Sequence, residues 1–274
     1  MRYVRNELET ITTGVGAGNL SLWLERYSWT LKTAANVNDS DKDFDKDFVL
    51  NGLFLPASKG CRPCLNATGQ QGDERTAYKE QYGRYAAFLR EAGAEPSYFK
   101  TTSRLVCGIG ESSPLENGIA LHPLWGVPYI PGSSIKGLLR AWYKHWEQEG
   151  DSARLKRRFG TLRAMGELTF FDALPEPGVA LERDVLTPHQ STWYNGKAAP
   201  GDWNKPQPNE FLTVPKGTSF VFGIATNGNV SRAIARGELS EQCIAEVRGA
   251  LKEALTWLGI GAKTAVGYGR LVPE

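Results

Sequence analysis

The 274-residue chain predicts an α+β fold, a ferredoxin-like βαββαβ core behind a helical N-terminal extension. Three observations predict it. Segments 134–146 and 240–258 repeat apolar residues at helical spacing. Short β-type runs alternate with them. Gly and Pro punctuate the junctions.

The elements follow in order. Residues 1–75 are punctuated by Gly and Asn, 20–31 fit helix or strand, and 56–76 read as an exposed loop. Residues 77–92 read as a helix with Tyr78, Tyr82, Tyr85, Phe88, Leu89 and Ala92 on one face, closed by Gly93 and Pro96. This places an N-terminal extension at 1–102, packed on a core domain at 103–274. Residues 104–109 read as the first strand, and 110–130 as a long connection. The helix at 134–146 turns Ile135, Leu138, Leu139, Trp142 and Trp146 inward. Residues 167–172 read as a strand, and 174–210 as a long insertion rich in Pro, Asn and Gly. Strands at 211–214 and 218–224 flank a turn at Pro215-Lys216-Gly217. The helix at 240–258 turns Ile244, Val247, Leu251, Leu255 and Leu258 inward, with Gly259 as its C′ stop. Residues 265–272 read as the last strand.

Composition narrows the function. The chain holds no run of about 18 apolar residues and no apolar leader, so a cytoplasmic protein without a membrane partner is expected. Its four cysteines fit a reducing compartment. The net charge of +2 conceals a local bias. Residues 131–163 carry eight cations against three acids, while 38–48 carry five Asp against two Lys. Such opposed patches suit one anionic ligand together with protein neighbours.

Two motifs carry chemistry. Residues 131–140 read Pro-Gly-Ser-Ser-Ile-Lys-Gly-Leu-Leu-Arg. Gly132 precedes a helix start that Ser133 or Ser134 can cap, and Lys136, Arg140 and Lys144 follow at i, i+4, i+8 on one polar face. Helix amides, hydroxyls and cations together hold phosphate oxygens. Charge spacing alone favours an ordinary capped helix with a solvated basic face, since such faces are common. Gly137, which costs a helix about 1 kcal/mol relative to Ala, and the double Ser after Pro131-Gly132 shift the reading towards function. Residues 259–270 read Gly-Ile-Gly-Ala-Lys-Thr-Ala-Val-Gly-Tyr-Gly-Arg. There Lys263 and Arg270 are candidates for phosphates and Tyr268 for stacking a base. A helix cap and a bulged strand explain Gly259 and Gly261 but not Gly267 and Gly269 as well. The loop is no Walker A motif, because Ala262 precedes Lys263-Thr264 and a helix precedes the loop.

Other signals fall short. Gly14–Gly18 has the wrong spacing for a dinucleotide loop. Cys61-Arg-Pro-Cys64 has no second CxxC to complete a zinc site. The alternating Asp39, Asp41, Asp43, Asp45 and Asp47 fit a calcium loop in neither register. No cofactor or metal is therefore expected. His122, His145 and His189 form no catalytic set, which favours a binding protein over an enzyme.

The chain resembles the RAMP superfamily of CRISPR systems. The glycine-rich loop at 259–270 is similar to the superfamily's C-terminal loop. Within the superfamily, five further segments resemble the sixth-subunit branch of the type III-B Cmr effector complex. They are Ser103-Arg-Leu-Val-Cys-Gly-Ile-Gly110, Leu115-Glu-Asn-Gly118, the run from His122 to Gly137, Gly166-Glu-Leu-Thr-Phe-Phe-Asp172 and Asp184-Val-Leu-Thr-Pro-His189. The resemblance implies an RRM-like core with an inserted β-hairpin thumb at about 174–210. It implies a subunit near the 3′ end of a guide RNA, capping a filament of backbone subunits and leaving catalysis to a neighbour. Its partners would be CRISPR guide RNA, complementary target RNA and other Cmr subunits. Gly132, Ser133, Ser134, Lys136, Arg140, Lys144, Lys263, Tyr268 and Arg270 would bind RNA, and His189, Trp193 and Tyr194 would meet the duplex. The rivals are a guide-processing RAMP endoribonuclease with His122 or His189 as base, a sister scaffold subunit of another type III complex, and a scaffold that touches no RNA.

Overall fold

The computed structural model describes residues 73–110, 117–147, 153–188, 190–197, 199–201, 203, 205–206, 208–227 and 242–274. The readings of 14–18, 20–31, 39–47 and 56–72, with Cys61, Cys64 and His189, lie outside them.

Helix α1 (Asp73–Glu91) precedes β1 (Ser97–Thr101). Helix α2 (Gly132–Ala141) runs into a single π turn (Trp142–Trp146), and α3 is Ala153–Phe159. Then come β2 (Leu168–Phe170), β3 (Leu174–Pro175), β4 (Glu182–Leu186), the one-turn α4 (Ser191–Tyr194) and β5 (Asn209–Thr213). Strands β6 (Ser219–Phe222) and β7 (Ile224–Thr226), helix α5 (Gln242–Trp257), a 3₁₀ turn (Thr264–Val266) and β8 (Leu271–Pro273) complete the order.

Four strands form the main sheet in the order β3-β6-β1-β8, with each adjacent pair antiparallel. Strand β6 explains how the sheet is held. Phe220 and Phe222 join a core with Ile135 and Leu139 of α2 and Val247, Leu251 and Leu255 of α5. Val221, on the other face, packs with Leu89 of α1, Leu174 and Tyr98. All four β6 residues are buried, because helices cover both faces of the sheet at this strand. Helix α1 is pegged down by Tyr78 and Tyr85, whose hydroxyls donate to the carbonyls of Pro175 and Asp172, each at 2.6 Å. Strands β2 and β7 pair separately, and β4 and β5 form a third ladder from Glu182↔Thr213 to Leu186↔Asn209.

Four expectations change. Among the described residues the first strand is β1 and not 104–109, which forms only a Leu105↔Val214 bridge. That segment spends its carbonyls elsewhere. Arg104 accepts from Gly269 N–H at 2.8 Å, Val106 from Ala262 at 2.7 Å and Cys107 from Ala120 at 2.9 Å. The last strand starts at Leu271, because a 3₁₀ turn between left-handed Lys263 and Gly267 occupies the start of the expected run. Leu174 and Pro175 belong to the main sheet, so the insertion departs later than expected. Trp146, expected inward, is 57% exposed and stacks on Trp142 at 5.1 Å. The π turn, closed by Glu147 N–H to Trp142 O at 3.2 Å, swings it off the apolar face.

One buried charge ties α3 to α5. The Arg158 side chain is 3% exposed and donates to Glu246 Oε2 at 2.7 Å, its guanidinium 4.9 Å from the centre of the Tyr143 ring. Arg154 contacts the other oxygen of Glu246. Partial burial pushes the Glu246 carboxyl up, but the two arginines outweigh it and hold it below its ordinary 4.5. Its stabilisation is therefore complete above about pH 4.5 and disappears as pH falls through the lowered value. Glu246→Ala should cost about 2 kcal/mol, a buried-pair loss reduced by the half-exposed carboxylate. Arg158→Leu/Glu246→Leu should recover most of that. Urea unfolding of both variants checks this.

Candidate nucleic-acid interface

Pro131, at φ −58°, stands at the N-cap of α2 without a side-chain cap. Neither Ser133 nor Ser134 caps the helix, contrary to expectation, and both are exposed. The cap comes from a distant residue: Gly132 N–H donates to Asp172 Oδ1 at 2.7 Å. A carboxylate is a stronger acceptor than a hydroxyl and complements the positive end of the helix. The helix tip is thus occupied by the protein's own anion. Gly132 must also be glycine, since a Cβ there would lie 2.4 Å from Phe170 O.

Beyond the tip, Lys136 is half-buried and Arg140 exposed, one turn apart. Lys144 is exposed but sits in the π turn, so it departs from the face that regular α spacing assigned to it. Among the described residues these three cations form no ion pair.

The glycine loop follows α5. Lys263 adopts φ 59°, and its ammonium lies 5.8 Å from the centre of the Phe211 ring on β5. Tyr268 Oη donates to Asp184 Oδ2 at 2.6 Å. Arg104 donates to the same oxygen at 3.0 Å and to Glu182 Oε2 at 3.1 Å. Arg270 donates from its side chain to Thr256 O at 3.2 Å and from its N–H to Ser103 Oγ at 3.0 Å. Tyr268 and Arg270 are therefore engaged in holding the loop. Sequence reasoning missed Asp172, Arg104 and Asp184. Their signal was a charge inside β-type runs, and partners 40 to 84 residues away hid its purpose.

The two motifs meet. Pro131, Ser134 and Gly137 line one side of an open cleft of about 520 Å³, and residues 259–262 with Thr264 of the glycine loop line another. Residues 107–110 contribute as well. Trp193 and Tyr194 are exposed on α4, in the segment between β4 and β5. His122 lies outside the cleft lining; its Nδ1 accepts Leu124 N–H at 3.3 Å, and burial lowers its pKa. His145 is exposed on the π turn. Helix α1 packs on the β3–β6 part of the second sheet face, so bases cannot stack over that part as they do on an RRM sheet. Among the described residues no cluster of three His, Cys, Asp or Glu could hold a metal, and no helix is long and apolar enough to cross a membrane.

Asp184 joins the glycine loop to the β4–β5 ladder. Burial pushes its carboxyl up, but hydrogen bonds from Tyr268 and Val185 N–H and the Arg104 charge hold it below 3.8. The tie should persist down to about that pH and fail below it. Asp184→Asn should cost about 1.5–3 kcal/mol, the range for a charged hydrogen bond. It should also speed amide exchange in the loop at Gly267–Arg270, read by hydrogen exchange.

A sequence model described as the RAMP superfamily matches residues 98–272. A CRISPR system Cmr subunit Cmr6 from Pyrococcus furiosus is 33% identical over 258 residues, covering 71% of this chain and 72% of that protein. A second Cmr6 subunit, from Saccharolobus solfataricus, is 34% identical over 131 residues, covering 45% of this chain and 43% of that one. A chain in a cryo-EM structure of the type III-B Cmr-beta complex bound to cognate target RNA superimposes with a TM-score of 0.59 at 20% identity, covering 100% of this chain and 96% of that one. That last likeness is one of fold.

Proposed function

Because the chain belongs to the RAMP superfamily, in its Cmr6 branch, we propose that it is a guide-RNA-binding structural subunit of a type III-B CRISPR ribonucleoprotein that targets RNA. The carrying observation is the cleft shared by the α2 start and the glycine loop, two motifs distant in sequence. The four-stranded sheet is read as a ferredoxin-like core and the β4–β5 ladder with its tip as a thumb. Lys136 and Arg140 offer charge to the guide backbone along α2 and Lys144 offers it from the π turn, with Ser133 and Ser134 beside the first two. Lys263 offers it from the loop, which Tyr268 and Arg270 hold in shape. Trp193 and Tyr194 supply aromatic surface to a guide–target duplex. The subunit sits near the 3′ end of the guide, caps the backbone filament beside other Cmr subunits, and leaves cutting to a neighbour.

Photo-crosslinking of guide RNA in the assembled complex tests this. Crosslinks are expected in peptides spanning 131–144 and 259–270. Their absence sinks the site. Cleavage of repeat RNA by the chain alone, lost in His122→Ala, would replace the structural role with an enzymatic one.

A further inference from the structure

The side chains that line the shared cleft include no Lys, Arg, Asp, Glu or His. A site built for phosphate alone would put its cations inside. Here the cleft offers the hydroxyls of Ser134 and Thr264, glycine main chain, and small apolar surface from Ala120, Ala262 and Leu138. Neither hydroxyl has a hydrogen-bond partner among the described residues. The helix tip is a poor seat for a phosphate, because Asp172 already takes Gly132 N–H and brings its own negative charge there.

Gly137 adds a second, independent observation. A Cβ there meets nothing within 4 Å, and its φ is not positive. The fold therefore does not require glycine at this position, where helix propensity costs about 1 kcal/mol relative to Ala. Gly137 lines the cleft and stands about 60° around α2 from Arg140, given 3.6 residues per turn. Gly83 and Gly249 are equally open helix glycines, and neither lines the cleft.

From this we infer that the cleft is a ribose site: it takes the sugar edge of the RNA strand against bare main chain at Gly137. The 2′-hydroxyl, donor and acceptor at once, pairs with Ser134 and Thr264, while the phosphates ride outside on Lys136 and Arg140. The inference rests on the guide-binding proposal and adds to it that the cleft selects RNA over DNA.

The test compares a fluorescent single-stranded RNA with its all-2′-deoxy counterpart, titrated with the full-length chain across salt. The wild type should bind RNA about tenfold more tightly, a difference worth one hydrogen bond. Ser134→Ala and Gly137→Ala should each close most of that gap without changing the salt slope. Gly83→Ala and Gly249→Ala should leave the gap intact. Equal binding of RNA and DNA by the wild type, with a steep salt slope, overturns the ribose site and leaves guide binding standing. A gap that survives in Gly137→Ala also overturns it. Failure to bind either strand overturns both proposals.

Discussion

Lys136→Glu/Arg140→Glu should weaken guide-RNA binding about 100-fold at moderate salt, a loss of about 2.7 kcal/mol. Both cations lie on α2 beside the cleft and are free of ion pairs among the described residues, so reversing them breaks no internal contact. The effect should thus be almost purely one of charge. Two lost phosphate contacts on a single strand should flatten the slope of log K against log salt by about 1.4. The unfolding midpoint should stay within the range of ordinary surface changes, about 0.5 kcal/mol. Lys79→Glu/Arg90→Glu, on exposed positions of α1, should alter affinity far less. Fluorescence anisotropy across salt separates the outcomes: an unchanged slope in the α2 variant would remove α2 from the RNA path.

Gly269→Ala should be the most destabilising single methyl in the glycine loop. A Cβ at this position would lie 1.9 Å from Ile260 O, and the residue holds φ +72°. The contact is with main chain that is itself committed, because Ile260 N–H donates to Gly269 O at 2.8 Å. Neither strand of the loop can retreat without breaking that bond and the one from Gly269 N–H to Arg104 O at 2.8 Å. Left-handed backbone costs about 1–2 kcal/mol for alanine and overpacking about 1–3, so a loss of about 3–4 kcal/mol is expected. Urea denaturation measures it. RNA binding at temperatures where the variant stays folded should fall too, because Lys263 and Thr264 lie within the displaced loop. A loss under about 1 kcal/mol would show that the loop yields far more easily than its hydrogen bonds imply.

Much of this was legible along the chain. Helical periodicity marked α1, α2 and α5, and Gly93 and Gly259 take the left-handed conformations expected where helices stop. The two motifs at 131–140 and 259–270 do share a cleft, and the RAMP resemblance drawn from residues 103–272 agrees with the family match. Strand positions were less legible. Residues 97–101 and 104–109 have similar β-type composition, and nothing local says which run pairs with β6 and which gives its carbonyls to the glycine loop.

The sequence by itself determined the family, the mixed helix and sheet content, and the two glycine-bearing motifs that form the cleft. These rest on periodicity and residue type, which act over a few residues. Tertiary structure decided what each polar group is for. Asp172 replaced the serines as the cap of α2, Asp184 claimed Tyr268 and Arg104, and α1 packed over part of the sheet face that an RRM leaves open to RNA. The reason is physical: a hydrogen bond or ion pair is chosen by distance in space, and partners 40 to 84 residues apart share no local signal.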